Sequence, residues 1–450
     1  MIPDAVVQNC IFSYLPHDDR VLFSYIMYLR YKVRTPLRLK CMINLDECWV
    51  SNKFMKFCIK TKMNLNLLRL GSFHKTLMFY THNPLMLQSL KNAGLDIHNQ
   101  DIIRSTPLHY ADTYKKAKPL IDIGMCSNIL NSNNCNSLHY ASEARHLRLL
   151  LNNNAEITPD VTGRTPLHKA KTALTSGILL ECAKNADVND VDAIGCSALH
   201  YADTVEQSAI LLLCNADVNI IDLNGCTPLH YSKSAEQTQL LLNSKASVNI
   251  PDNKGKTALH KALSAEQSKA LLNIGSFVNA KDNYSHTPLH ESTSLEQTKV
   301  LLEHKADINA RSWNGKTPLH MSKSAEQTKF LLDNNADVHA LDKYDNTPMH
   351  DSDSLENTKL LMFYKADVNS VNWKGKTPLH LSSSSEQTKF LLDNHASESA
   401  EDYQGLTPLH YSKSYDQSHL LMFYNSELMY TPLQKSDLFG RFDQLEDLDI

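Results

Sequence analysis

Apolar residues along this chain fall in short clusters separated by polar stretches of nearly constant length. A single buried-type leucine is followed about eleven residues later by a run of two or three. Leu229 precedes Leu240, Leu241 and Leu242, and Leu319 precedes Leu331 and Leu332. Neither cluster is long enough for a strand layer or a long amphipathic helix. The pattern instead predicts pairs of short helices joined by polar turns. Residues 222 to 250 show how one pair is built. Asp222 through Gly225 is turn chemistry, with Asn-Gly at its tip. Thr227 suits an N-cap and Pro228 the first helical position, so a short helix carries Leu229 and His230. Ser234 opens a second helix, with Gln237 at the capping-box spacing and the leucine run on its inner face.

The same string recurs. T-P-L-H or a close variant begins at Thr106, Asn136, Thr165, Ser197, Thr227, Thr257, Thr287, Thr317, Thr347, Thr377 and Thr407, at intervals of 30, 29 and 32 and then 30 throughout. Thr76-Leu77-Met78-Phe79 stands 30 residues before the first clear copy and reads as a degenerate one. One pair cannot bury its own apolar face, so neighbours must stack to make a continuous core.

These residues resemble the ankyrin repeat family. The T-P-L-H start, the leucine run and the A-D-V-N ending (Ala216-Asp217-Val218-Asn219 and Ala366-Asp367-Val368-Asn369) all match, over roughly residues 75 to 425. The resemblance implies an all-α solenoid of helix-turn-helix units with β-hairpin-like connecting loops, about twelve 30-residue repeats in all. The family's usual period is 33. The missing residues fall between the two helices, so the first helix is expected to be short. The glycine that usually ends the second helix is replaced by Asn185, Asn215, Lys245, Lys305, Asn335 and Lys365. Lysine in a left-handed cap costs of order 1 kcal/mol.

Charge divides the chain. Residues 1 to 75 carry 12 Lys/Arg against five acids, so the head is basic and the remainder acidic within a net charge of −4. The domain reading follows: a segment over 1–45, a helical linker or degenerate first repeat over 46–75, repeats over 76–425, and a C-terminal cap or tail over 426–450. Ten scattered cysteines without a CxxC pair point to free thiols in a reducing compartment. No apolar run reaches the roughly 18 residues of a membrane span, and the N-terminus lacks a Sec-type leader pattern.

Candidate chemistry is sparse. The histidines of T-P-L-H sit one per repeat, which argues against a metal or catalytic site; in the family this imidazole links adjacent repeats. The recurrent Glu-Gln-Ser/Thr trio of the second helix reads as capping plus an inter-repeat hydrogen-bond ladder. The chain is expected to be no enzyme and to need no cofactor, metal or nucleic acid. Two rows are candidates for partner binding. Hairpin tips in five successive repeats carry Tyr284, Trp313, Tyr344, Trp373 and Tyr403, the residue types that dominate interface hot spots. The alternative is that each ring packs on its neighbouring hairpin. The position after each histidine, which in the family lines the concave groove, carries Tyr110, Tyr140, Tyr201 and Tyr231 in the early repeats.

The first residues resemble the F-box, through Ile2, Pro3 and Asp4 and then Ile11, Phe12, Leu15 and Pro16. One extra residue separates the halves, and the later part of the motif is not recognisable. That resemblance implies docking on the Skp-type adaptor of a cullin–RING ubiquitin ligase, with the repeats presenting a target. An apolar cap sealing the first repeat is the alternative for the segment. A plain ankyrin scaffold that blocks its partner sterically is the alternative for the whole. The Asn-, Lys- and Ser-rich, Gly-poor composition, with an F-box-like start joined to repeats, resembles that of viral or intracellular bacterial factors acting in a host cell; a eukaryotic host protein is the alternative, and a cytoplasmic monomer is expected.

Overall fold

The computed structural model describes residues 52–60, 65–67, 74–183 and 185–424. The F-box-like residues Ile2, Pro3, Asp4, Ile11, Phe12, Leu15 and Pro16 and the C-terminal segment 426–450 lie outside the described residues. The chain divides into two compact units, Met1–Ala246 and Ser247–Ile450.

Each unit is built from one recurring helix pair. Thr227 is extended (φ −93°, ψ 166°), and Pro228, with no N–H to satisfy, starts a single turn over Pro228–Tyr231. That turn stops because Ser232 returns to extended backbone. Ser234 then caps the nine-residue helix Ala235–Asn243, its side chain accepting the Gln237 N–H. The pair recurs from Leu77–Tyr80 with Pro84–Asn92 to Pro408–Tyr411 with Tyr415–Phe423. The first helix is thus one turn long, as the shortened period requires. Among the described residues no strand forms; the connecting loops close by a bond from Asp222 N–H to the Cys226 carbonyl and its equivalents.

Second helices end in a left-handed residue. Lys245 (φ 68°), Lys305 (65°) and Lys365 (67°) occupy it, as do Asn215 and Asn335. The next N–H closes the cap: Ala246 donates to the Leu241 carbonyl at 3.0 Å. Asn185 departs from the expectation. Helix Ala173–Cys182 already ends at Ala183 in extended backbone (φ −88°, ψ 124°), and the Asn185 side chain brackets Ile157, accepting from the Ile157 N–H and donating to the Ile157 carbonyl.

Leucines of both helices form the core. In the first unit Leu108, Leu120, Leu138 and Leu147 are fully buried. In the second, Leu319, Leu331, Met349, Leu361, Leu379 and Leu391 form one cluster. Each such side chain contributes about 1.5–3 kcal/mol by leaving water. Before the first helix pair, Asn52–Lys60 packs on Pro84–Asn92 with Met55 and Cys58 buried. Asn66 donates to the Gly94 carbonyl and accepts the Asp96 N–H, as Asn128 does with Asn154 and Glu156. Asn66 therefore repeats the linkage found between later repeats.

Two polar ladders tie neighbours together. His109 Nδ1 accepts the Thr106 N–H at 3.0 Å, which leaves Nε2 as the donor to the Cys135 carbonyl of the next repeat at 2.9 Å. His168 and His200 in the first unit and His290, His320, His350 and His380 in the second do the same. Gln237 Nε2 donates to the Ala202 carbonyl (2.8 Å) and Ser208 Oγ (2.9 Å) of the preceding repeat. Phe79 fills the histidine slot of the degenerate copy, so Thr76 Oγ1 is buried without a partner.

Candidate functional site

The hairpin tips are set by an acceptor side chain at the start of each loop: Asp282, Asp342 and Asp402 in the tyrosine loops, Ser312 and Asn372 in the tryptophan loops. Asp282 Oδ1 accepts the N–H groups of Tyr284 and His286, both at 2.8 Å, and holds the loop open to solvent at its tip. Successive tips are joined by backbone: Trp313 N–H donates to the Tyr284 carbonyl (2.7 Å), Trp373 to Tyr344 (3.0 Å) and Tyr403 to Lys374 (2.9 Å). Gly315 and Gly375 hold φ near +78°, and a Cβ at Gly375 would come within 2.8 Å of the Tyr403 backbone N. These turns therefore require glycine both for conformation and for closeness.

Tyr284, Trp313, Tyr344, Trp373 and Tyr403 are all exposed, Trp313 at 63% and Tyr403 at 76%. They are not isolated from each other. Tyr344 and Trp373 lie 5.7 Å apart between ring centroids. Lys343 Nζ stands 4.3 Å from the Trp313 ring centroid and Lys374 Nζ 5.2 Å from that of Trp373. The row is an exposed aromatic edge dressed with cations, each ring keeping an open side.

The groove tyrosines have a different environment. The hydroxyls of Tyr110, Tyr201 and Tyr231 donate to Asp101, Asp192 and Asp222, each at 2.7 Å, while Tyr140 accepts from Asn131 Nδ2 at 2.9 Å. Tyr140, Tyr201 and Tyr231 also meet the imidazole of the preceding repeat edge to face at 5.8–6.1 Å. Burial and the facing carboxylates push the Tyr110, Tyr201 and Tyr231 hydroxyls well above the usual phenol range. These side chains brace the loops. Tyr140, Tyr201 and Tyr231 nevertheless line a cleft of ≈ 800 Å³ together with Arg164, Lys169 and Lys233. The cleft lies where the period slips from 30 to 29 and then 32.

The residue nine places after the loop aspartate follows a rule that the sequence reading missed. It is a donor to that aspartate's Oδ2: Tyr110, Tyr201, Tyr231 and Tyr411 by hydroxyl, Lys169 at 2.6 Å and Lys261 at 2.7 Å by ammonium. Glu291 and Asp351 break the rule by placing a second carboxylate there. Asp342 is compensated by Asn346, whose Nδ2 donates to Oδ2 at 3.0 Å. Asp282 is not: its Oδ2 is buried with no hydrogen-bond partner, and His286 Nδ1 lies 3.5 Å away. His286 Nδ1 is also 3.8 Å from Glu291 Oε1, which Lys256 Nζ meets at 2.8 Å. Comparing that one slot across repeats was the available signal.

Residues 203–282 and 232–312 match the family described as Ankyrin repeats (3 copies), and residues 314–343 match Ankyrin repeat. The helix pairs are an ankyrin-repeat fold. Among curated proteins the chain is similar to Neurogenic locus notch homolog protein 1. The human and mouse proteins are 33% identical over 144 residues and the Xenopus laevis protein 32% over 140. These alignments cover 28–29% of this chain and span only 6% of the relatives' length. Among solved structures, the ankyrin repeat domain of Bcl-3, a member of the IkappaB protein family, aligns over 44% of this chain and all of that one, at 25% identity and a TM-score of 0.37. Ankyrin repeats are a protein-binding fold, and the T-P-L-H imidazoles named above are engaged at both nitrogens in holding repeats together. Among the described residues no helix is long and apolar enough to cross a membrane.

Proposed function

We propose that this protein is an adaptor whose ankyrin repeats capture a target protein along the aromatic tip row from Tyr284 to Tyr403. The carrying observation is the row itself: five successive tips expose a Tyr or Trp, and lysines cover only part of two rings. Large rings with two side-chain torsions supply contact area at low entropic cost, and exposed rows of them are rare on a surface with no partner. The F-box-like residues Ile2–Asp4 and Ile11–Pro16 supply the second half of the proposal, a handle for a Skp-type adaptor of a cullin–RING ligase. The basic head favours an acidic docking surface.

Affinity capture from cells with wild type and Trp313→Ala/Trp373→Ala, quantified by mass spectrometry, tests the array. The main prey is expected to fall at least tenfold in the double variant, and equal recovery overturns the tip-row reading. Binding of purified Skp-type adaptor tests the handle. No complex with wild type, or full binding by Leu15→Ala/Pro16→Ala, removes the ligase half and leaves the array reading standing.

A second reading, a scaffold that blocks its partner sterically, is favoured by Asn52–Lys60. That helix packs on the first helix pair with Met55 and Cys58 buried, as a cap does. It predicts that a chain lacking residues 1–45 keeps its full cellular effect.

A further inference from the structure

We propose that Asp282, His286 and Glu291 form a binding site for one divalent transition-metal ion with the preferences of zinc. The argument is a comparison of the same loop in successive repeats. Where the slot nine residues on is Tyr or Lys, the loop aspartate has a donor for Oδ2. Where it is Asp351, Asn346 supplies one. Only the Asp282 loop, among these, combines an acid in that slot with a fourth loop residue that does not donate at hydrogen-bond distance. Asp282 is 5% exposed, and its Oδ2 has no hydrogen-bond partner, with His286 Nδ1 3.5 Å away. A buried carboxylate oxygen without a donor costs of order 1–3 kcal/mol or more. A cation removes that cost.

The geometry suits a small one. One ligand atom from each of Asp282, His286 and Glu291 lies within 4.8 Å of the other two. The imidazole Nδ1 is 3.5 Å from one carboxylate and 3.8 Å from the other. Tetrahedral zinc, with bonds of roughly 2.0–2.1 Å, spaces its ligands by ~3.3 Å. Small rotations of the partly exposed His286 and Glu291 side chains close the remaining gap. Glu291 would exchange the Lys256 ammonium for the ion, and water would fill the fourth position. One imidazole and two carboxylates fit zinc, cobalt or nickel better than calcium, which seeks six or more oxygens. The ion would tie the hairpin loop carrying Tyr284 to the first helix of its own repeat, a structural clamp at one end of the aromatic row.

The test uses the full chain, stripped with chelator under reducing conditions and titrated with Co(II) and then Zn(II). Two variants carry residues that neighbouring repeats already accommodate. His286→Asn installs the pairing of Asn346, and Glu291→Tyr installs that of Tyr231 and Tyr411. Other histidines and the cysteines give a background, so the readout is the difference. Wild type should bind one more equivalent of Co(II) than either variant, with visible bands of nitrogen and oxygen ligation. Zinc should raise its melting temperature by several degrees and leave both variants unmoved. The proposal is overturned if all three proteins bind the same number of equivalents, or if the Co(II) spectrum shows thiolate charge transfer. Equal zinc-induced shifts in melting temperature overturn it as well.

Discussion

At the scale of single residues the fold rests on groups held in one protonation state. In His109, His168 and His200 the imidazole is buried and its Nδ1 accepts a backbone N–H, so protonation would set a proton against a donor. Desolvation holds all three below the ordinary histidine value. For His139, burial and then the Lys169 charge bring it down to about 4. The unfolded chain therefore takes up protons first as the pH falls. Stability is full above the unfolded value of about 6.5 and is lost as pH drops toward 4. Thermal unfolding at pH 7.5 and pH 4.5 should show a markedly lower midpoint in acid, and equal midpoints would contradict the ladder. A second prediction concerns Lys305 and Lys365, exposed and left-handed. Each Lys→Gly should stabilise by up to about 1 kcal/mol in denaturant titration, since glycine carries no Cβ penalty there. These caps were legible in the sequence because the leucine run fixes where the helix must end. Asn185 was misread because the longer interval around it moves the cap.

At the scale of elements, the two helices were legible and their cross-repeat links only partly so. The Thr-Pro and Ser-x-x-Gln starts specify caps that the structure contains. The glutamine ladder was readable from repetition, but its defects were not, because they depend on reach. Asn357 stands where Gln387 and Gln417 stand, one methylene shorter, and its Oδ1 is buried without a partner. His146 occupies the equivalent position in the first unit, fully buried with neither nitrogen bonded. Asn357→Gln and His146→Gln should each raise unfolding free energy by about 1 kcal/mol. No gain in the denaturation midpoint would show that the ladder's geometry is not the limiting feature. The Asp282 cluster escaped the sequence reading for a related reason. Its histidine lies outside the T-P-L-H slot, and Glu291 is unusual only beside the tyrosines and lysines of other repeats. Gly375→Ala, by contrast, should destabilise and displace Tyr403, read as lower stability and altered Tyr403 exchange or fluorescence.

At the scale of the molecule, repetition makes fold and function separable. The helices, caps and ladders recur with little change, so the information that selects a partner must lie where repeats differ. They differ at the tips and at the slot after each histidine. The groove tyrosines are largely engaged in bracing loops, while the tip rings are braced on one side and open on the other. That contrast supports the proposal that the tip row is the binding edge, a row the sequence already set apart from the tyrosine-rich groove. The measurement that tests this most directly is amide hydrogen exchange of the full chain with and without the captured partner. The account predicts slowed exchange in the loops around Tyr284, Trp313, Tyr344, Trp373 and Tyr403. Protection confined to the cleft around Tyr140, Tyr201 and Tyr231, or none in either place, would contradict it.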